Sequence, residues 1–236
     1  MVHRVKSKCD KSMLPEHTFK FENITADISL QESDVLVLAE TWIQEKTDMC
    51  NKFKLQKYET HLNCSGRGKG LAIFKKPEFK HIADHNQKDI NITKIESDDL
   101  DVIAIYRSKE GSLSKLISKL HDIINMSKST LIIGDMNICN KKMATNDLRK
   151  YLEDRKFKQV INRATHIEGG HLNHAYIMNK GNFVESPGIE LIPKYYSDHD
   201  SICVAWRKIE PKVREIPEKA KLQKKTGKGE EWTKVP

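Results

Sequence analysis

Several short apolar segments alternate with polar stretches along the chain and predict buried β-strands. The strongest are residues 34–38, 71–74, 100–106 and 130–133. They are nearly continuous runs of Val, Ile and Leu, as expected of strands covered on both faces. Residues 90–95 instead alternate apolar and polar side chains, which is typical of a strand covered on one face. Weaker segments of strand type are residues 159–161, 174–178 and 201–206.

Helices are predicted between these strands. Ser112 can cap a helix whose apolar side chains recur at helical spacing between residues 113 and 124. Asn146 can cap a second helix, and residues 24–31 form a shorter candidate. Since some strands are covered on two faces and others on one, the pattern predicts an α+β fold in which two sheets pack together with helices outside.

The 236 residues carry a formal net charge of +8, most of it at the two ends. Residues 1–20 contribute +3 and residues 208–236 contribute +4, which leaves a nearly neutral body. Basic ends suit a polyanionic partner, because each neutralised phosphate releases counterions; a solvated tail explains them equally well. We expect an irregular segment over 1–23, one domain over 24–207 and a basic, disordered tail over 208–236.

The cellular setting follows from what the sequence lacks. No apolar run exceeds about five residues, whereas roughly 18 are needed to cross a bilayer. The basic first residues are followed by no apolar stretch, which predicts that there is no secretory signal. The five cysteines include no C-x-x-C pair, which disfavours a zinc ribbon or disulfide scaffold. We expect an intracellular protein, nuclear or cytoplasmic, with no membrane partner; the oligomeric state stays open.

Polar side chains with chemical potential stand at the ends of the predicted strands. They are Glu40, Asp135, Asn137, Asn173, His174, Asp198, His199 and Asp200. A rigid sheet can aim such groups at one point. Oxygen ligands without paired Cys and His favour a hard ion, Mg²⁺ or Mn²⁺, over zinc.

Each of these features also has a purely structural interpretation. Glu40 could be the first polar residue of a loop, and Gly134-Asp135-x-Asn137 could be an Asx-type turn that closes a strand. Asp198 and its neighbours could cap a turn. The glycine cluster at residues 66–70 is no phosphate-binding loop, because no Ser or Thr follows its lysine and a strand comes next; it predicts a flexible hairpin.

Five motifs in order resemble those of the endonuclease/exonuclease/phosphatase superfamily, the fold of DNase I and of apurinic endonucleases. They are Leu-Ala-Glu-Thr-Trp, Gly-Arg-Gly-x-Gly-Leu-Ala-Ile-Phe, Ile-Tyr-Arg-Ser, Ile-Ile-Gly-Asp-Met-Asn and Tyr-Ser-Asp-His-Asp. The resemblance covers about residues 24–206 and is strongest toward the endonuclease domains of mobile elements, including non-LTR retrotransposons. It implies a four-layer α/β/β/α sandwich of two mixed sheets.

The resemblance also implies a role for each matching residue. Glu40 and Asp198 match metal-site carboxylates for Mg²⁺ or Mn²⁺. Tyr106 matches a tyrosine that hydrogen-bonds the scissile phosphate, and Asp135 matches the aspartate that orients or deprotonates the attacking water. Asn137 matches an amide partner of the phosphate. His199 matches the histidine that stabilises the pentacovalent charge. Hydrolysis of a phosphodiester needs these elements: a metal, a base near water and fixed donors.

Two departures from the family pattern stand out. Asn173 occupies the position of an aspartate that pairs with the histidine matching His199; an amide can orient that imidazole but gives its cation no charge support. In addition, no segment upstream of Asp34 has the character of the family's first strand, so the sequence predicts that this strand is missing. A missing central strand would expose sheet edges.

Three functions therefore stay open at the level of sequence. The first is a metal-dependent phosphodiesterase, in particular a DNA endonuclease whose activity is full or impaired. The second is a catalytically degenerate module that binds nucleic acid or another partner. The third is a phosphatase or phospholipase of the same fold. The basic ends favour nucleic acid, with DNA preferred over RNA, as the partner.

Overall fold

The computed structural model describes residues 23–24, 26–27, 33–41, 54–64, 69–139, 147–194 and 197–209, together with the backbone of residues 2–4. Six strands form a first sheet in the order β11-β12-β1-β2-β4-β3. Their bounds are β1 Val2–Arg4, β2 Val35–Ala39, β3 Glu59–Asn63, β4 Leu71–Lys75, β11 Gly188–Ile192 and β12 Ser201–Ala205. The sheet is mixed. β1 runs parallel to β2, and all the other neighbouring strands of this sheet are antiparallel.

The second sheet has the order β5-β6-β7-β8-β10-β9. Its strands are β5 Lys80–Gln87, β6 Ile90–Glu96, β7 Leu100–Arg107, β8 Ser129–Asp135, β9 Lys158–Gln159 and β10 Asn173–Met178. Only β7 and β8 are parallel, and the helix α1, Leu113–Ile123, connects them. A parallel pair requires such a crossover, whereas the antiparallel pairs need only turns.

Three apolar layers hold the two sheets and their helices together. Between the sheets, Val37 and Ile73 of the first sheet pack with Val102 and Ile133 of the second. The outer face of the second sheet is covered by α1 and by α2, Asp147–Asp154, through Leu116, Leu120, Leu148 and Leu152. The outer face of the first sheet packs against Ile24, which is helical, as are residues 23 and 26. The result is the predicted α/β/β/α sandwich.

The prediction that the first strand is missing is wrong. Val2–Arg4 forms β1 inside the first sheet, parallel to β2 and antiparallel to β12. Three residues are too few to show a period, so the sequence of this segment did not indicate a strand; its partners are distant in the chain. The irregular segment predicted over 1–23 therefore contains one central strand.

Other differences from the prediction concern element edges. β3, β5 and β11 were not predicted, because they are edge or near-edge strands in which polar residues interrupt the apolar pattern. Ser112 caps α1 as predicted, accepting a hydrogen bond from the backbone N–H of Lys115. Asn146 and most of the glycine cluster at 66–70 lie outside the described residues. Among the described residues, no helix is long and apolar enough to cross a membrane.

Candidate active site

Three of the predicted site residues form one row across the second sheet. Tyr106 of β7 is the parallel partner of Asp135 of β8, and Asp135 is in turn the antiparallel partner of Asn173 of β10. The side chains of residues in register lie on the same face of a sheet, a few ångströms apart. Asp135 and Asn173 are fully buried. The pairing of the strands therefore fixes the spacing of a phenol, a carboxylate and an amide.

Gly134 makes the close approach of β7 and β8 beside this row possible. A Cβ atom built on Gly134 would lie 1.8 Å from the carbonyl oxygen of Ile105 in β7. Real Cβ atoms do not approach an oxygen so closely, so only glycine fits here. The glycine of the Gly-Asp-Met-Asn motif thus has a structural reason that is tied to the position of Asp135.

Glu40 lies directly after β2 and reaches the second sheet. Its Oε1 accepts a hydrogen bond of 2.9 Å from the hydroxyl of Tyr106, and the residue is 6% exposed. Glu40 has a φ of 54°, a left-handed backbone conformation that is unusual for a residue with a Cβ. This conformation turns the chain out of the strand at the point where the carboxylate meets the tyrosine.

Asn137 is held beside Asp135 by an equally unusual backbone, with a φ of 48°. Its N–H donates to Oδ1 of Asp135 over 3.0 Å, and its side-chain Nδ2 donates to the carbonyl of Arg107 over 2.8 Å. Its Oδ1 is buried and has no hydrogen-bond partner among the described residues. The amide nitrogen carries a second N–H besides the one that bonds Arg107, so the role of Asn137 as an amide partner of the phosphate stays a prediction.

A buried cation lies close to these residues. The guanidinium of Arg107 donates from Nη1 to the carbonyl of Met136 over 3.1 Å. Burial lowers the pKa of Arg107, while the charge of Asp135 opposes that effect. An arginine stays protonated at any ordinary pH. The backbone that carries Asp135 and Asn137 is therefore tied to a fixed positive charge.

Asn173 orients His199. The Oδ1 of Asn173 and the Nδ1 of His199 are 2.9 Å apart, and Nδ2 of Asn173 donates to the carbonyl of Asp200 over 3.3 Å. Because a carbonyl can only accept, the amide must turn its oxygen toward the imidazole. Nδ1 of His199 therefore carries the proton, and in the neutral ring Nε2 carries the lone pair. The asparagine fixes the tautomer and gives the cation no counter-charge.

His166 belongs to the same cluster and was not predicted from the sequence. It forms a backbone bridge with His199, and the two rings meet edge to face with centroids 4.7 Å apart. Its Nε2 lies 3.4 Å from Oδ2 of Asp198. Only the three-dimensional pairing brings His166 to the site.

The two predicted metal ligands, Glu40 and Asp198, have different neighbours. Glu40 bonds Tyr106; a carboxylate of this kind suits Mg²⁺, which binds through one or two carboxylates and keeps several waters. Asp198 instead joins His166 and His199, and their ligand atoms all lie within 4.8 Å of one another. A carboxylate with two imidazoles suits Mn²⁺ or another transition metal better than Mg²⁺.

His174, which the sequence placed among the polar groups at strand ends, hydrogen-bonds the backbone next to the site. Its Nε2 donates to the carbonyls of Ile138 and His171 at 2.8 and 3.1 Å, and its Nδ1 accepts from the hydroxyl of Tyr176 at 3.0 Å. Burial lowers the pKa of His174 to about 4 and raises that of Tyr176. The histidine is therefore neutral and anchors the segment that follows Asn137.

Comparison with known proteins identifies the fold. No family model and no curated protein matches the sequence. Solved structures match over most of the chain: a truncated TDP2 from Caenorhabditis elegans has a TM-score of 0.61 at 15% identity and covers 88% of this chain and 97% of its own. The 3′ phosphatase NExo from Neisseria reaches 0.62 at 13%, covering 87% and 97%.

The endonuclease domain of TRAS1, a telomere-specific non-LTR retrotransposon, matches with a TM-score of 0.55 at 9% identity, covering 88% of this chain and 96% of its own. These structures are members of the endonuclease/exonuclease/phosphatase superfamily. The chain has the DNase I-like fold of that superfamily, and the resemblance seen in the motifs is confirmed at the level of the fold.

Proposed function

We propose that this protein is a metal-dependent phosphodiester hydrolase that acts on DNA, and specifically an endonuclease. The observation that carries the proposal is the row of Tyr106, Asp135 and Asn173 across three adjoining strands. Glu40 is hydrogen-bonded to Tyr106 at one end of the row, and His199 to Asn173 at the other. A structural turn or cap would not need a phenol, two carboxylates, an amide and an imidazole side by side on adjoining strands.

The network divides the work of hydrolysis among the residues. Asp135 is the base that orients and deprotonates the attacking water, and the adjacent N–H of Asn137 holds one of its oxygens in place. In this proposal Tyr106 and Nε2 of His199 would contact the phosphate. The Tyr106 hydroxyl, which donates to Glu40 in this structure, would turn to the phosphate, and the imidazole would donate to the developing charge when it is protonated. A divalent ion held by Glu40 would offset the charge of the phosphodiester.

The choice of DNA as substrate is supported by the neighbours and by charge. The NExo structure holds a product DNA hairpin, and a D. rerio TDP2 structure holds a single-stranded DNA product. The two chain ends supply most of the net positive charge of +8, which suits a phosphate backbone. The similarity to the TRAS1 domain supports an endonuclease of the mobile-element type.

A degenerate, non-catalytic module is the second candidate, and Asn173 is the observation that favours it. An aspartate at this position would stabilise the imidazolium of His199, whereas the amide cannot. The first strand, whose predicted absence also pointed to degeneration, is present as β1. We therefore favour an enzyme that retains its machinery and is slowed at neutral pH by one substitution.

Nicking of supercoiled plasmid by the purified full-length chain tests the proposal. We expect nicking with Mg²⁺ or Mn²⁺, none with chelator, and a loss of about 10²–10⁴-fold in Glu40→Gln and Asp135→Asn. The exposed acids Glu78 and Asp98 provide matched controls, and Glu78→Gln and Asp98→Asn should nick like the parent. Equal nicking by the parent and Asp135→Asn would refute the assignment.

Two further substrates separate the alternatives. A 3′-phosphorylated oligonucleotide tests for a phosphatase, and a gel-shift assay with uncleaved duplex tests for binding without catalysis. Duplex binding without release of phosphate or nicking under any metal condition would establish the non-catalytic candidate instead. Release of phosphate without nicking would establish the phosphatase.

A further inference from the structure

A second cluster of potential ligands joins the outer edges of the two sheets, away from the residues of the candidate active site. His61 lies on β3, the edge strand of the first sheet, and His81 and Asp84 lie on β5, the edge strand of the second. Nε2 of His61 is 2.9 Å from Oδ2 of Asp84, and Nε2 of His81 is 3.3 Å from Oδ1. The ligand atoms of all three lie within 4.8 Å of one another.

The two imidazoles are stacked, with ring centroids 3.9 Å apart and planes inclined by 22°. Metals bind an imidazole through a ring nitrogen, and the stacked arrangement brings Nε2 of both rings to one carboxylate. The Nε2–Oδ separations of 2.9 and 3.3 Å resemble the spacing of about 3.3 Å between two ligands on one tetrahedral zinc with bonds of about 2.0–2.1 Å.

The carboxylate of Asp84 is prepared for a ligand role by a neighbour. The hydroxyl of Thr93 on β6 donates to its Oδ1 over 2.7 Å, which fixes its orientation as an outer-shell partner would. Burial raises the pKa of Asp84, but hydrogen bonds from His61 and Thr93 and the charges of the two histidines outweigh that effect, so the pKa is lowered overall. The carboxylate is thus ionised.

The cluster also has the accessibility that a metal site requires. The side chains of His61, His81 and Asp84 are 22%, 35% and 28% exposed, so an ion and its remaining water ligand can enter from solvent. Among the described residues, the ionic partners of Asp84 are the two histidines. No lysine or arginine of that part of the chain competes for the carboxylate.

We infer that His61, His81 and Asp84 form a binding site for a divalent transition-metal ion, with Zn²⁺ as the best match. Three protein ligands of the His₂Asp type leave a fourth position for water. Imidazole donors disfavour Mg²⁺ and Ca²⁺, which prefer all-oxygen sites. The ion would staple the edge of one sheet to the edge of the other. This site is separate from the proposed function and does not depend on it.

Zinc titration of the full-length chain tests the inference, with binding measured by calorimetry and the melting temperature by circular dichroism. The cluster of His166, Asp198 and His199 is another candidate for zinc, so the titrations are done in the His166→Gln background. We expect one equivalent of Zn²⁺ that 10 mM Mg²⁺ does not displace, and a melting temperature that rises on binding. His81→Ala and Asp84→Asn should each weaken this binding by about 100-fold or more, beyond the range seen for outer-shell changes.

His85 on the same strand is the matched control, because it carries an imidazole outside the cluster. His85→Ala should bind zinc like the background protein. His61→Ala on the opposite sheet should lose binding as His81→Ala does, which a local defect of β5 could not cause. Zinc affinity that is unchanged in both His61→Ala and His81→Ala, or is lost equally in His85→Ala, would overturn the inference.

Discussion

Acid should weaken this fold through one histidine, His174. The ring is fully buried, donates from Nε2 to the carbonyls of Ile138 and His171, and accepts from the hydroxyl of Tyr176. The two carbonyls can accept from Nε2–H in either charge state, so the bond from Tyr176 to Nδ1 and the burial of the ring are what favour the neutral form. Protonation would place a charge in the apolar layer under α1 and α2 and would turn Nδ1 from an acceptor into a donor that faces Tyr176.

The magnitude follows from the pKa. The ordinary value of 6.5 in the unfolded chain falls to about 4 in the folded protein. Between these two values the unfolded chain binds the proton and the folded chain does not, so stability falls as the pH falls. The free energy of unfolding is unaffected by this group above about pH 6.5. Below that pH it falls by up to about 1.4 kcal/mol per pH unit, and the loss reaches about 3 kcal/mol at pH 4.

Urea unfolding of the parent and of His174→Gln between pH 4.5 and 8 measures this contribution. Glutamine can still donate to Ile138, but it gives Tyr176 no equivalent acceptor, so the variant should be about 1–3 kcal/mol less stable at pH 8. The deficit should shrink or vanish by pH 4.5, because the variant has nothing to protonate at this position. His85→Gln, on an exposed edge strand, should keep the slope of the parent.

Parallel stability curves for the parent and His174→Gln would refute the reasoning. Such a result would mean that the folded protein admits the proton at little cost, through water or a rearranged Tyr176. A steeper curve for the variant would reverse the predicted sign. Other acidic groups contribute equally to both proteins, so the difference between the two curves isolates the histidine.

Three other changes have definite expected outcomes. Asn173→Asp should raise plasmid nicking at pH 7.5–8 by about 10-fold or more, because the new carboxylate favours the imidazolium of His199. Gly134→Ala should destabilise the fold by several kcal/mol or displace Asp135, since the added methyl meets a backbone oxygen at 1.8 Å; thermal unfolding measures it. Deleting residues 210–236, with eight basic and five acidic residues, should reduce the slope of log affinity for DNA against log salt by up to about three.

Each of these has a result that would count against it. No gain in Asn173→Asp, with folding and DNA binding intact, would show that the imidazolium does not limit the rate. Gly134→Ala is compared with Gly188→Ala, whose added methyl makes an ordinary contact of 3.6 Å; equal melting temperatures would contradict the close approach of β7 and β8. An unchanged salt slope would mean that the deleted tail makes no contact with the phosphate backbone.

The central strands could be predicted because burial dictates their composition. Residues 71–74, 90–95 and 130–133 fall within β4, β6 and β8, where side chains are buried almost without exception. The prediction that 90–95 is covered on one face is wrong, because the polar Asn91 and Thr93 are buried as well. The edge strand β5 could not be predicted, since most of its side chains face solvent. The tail was predicted to begin at 208, yet Lys208 still pairs with Phe183, and Ile209 donates to the carbonyl of Asn182.

The candidate site was predictable only where its residues border a recognisable strand. Glu40, Tyr106 and Asp135 each end or follow an apolar run, so their type and position drew attention together. His166 lies in a loop with no period, and its partners Asp198 and His199 are distant in sequence. No local pattern encodes such a contact, because it depends on how two segments that are distant in sequence meet in the fold.

At Glu40 and Asn137, which have left-handed backbone conformations, the residue that favours stability differs from the residue that supplies a functional side chain. Each non-glycine residue in this conformation costs the fold about 1–2 kcal/mol. Glycine would remove that cost at either position, and it would also remove the carboxylate or the amide. A population selected for heat resistance alone should therefore accumulate glycine at 40 and 137 and lose the proposed hydrolysis first. A population selected for the proposed activity should keep both side chains and tolerate the lower stability.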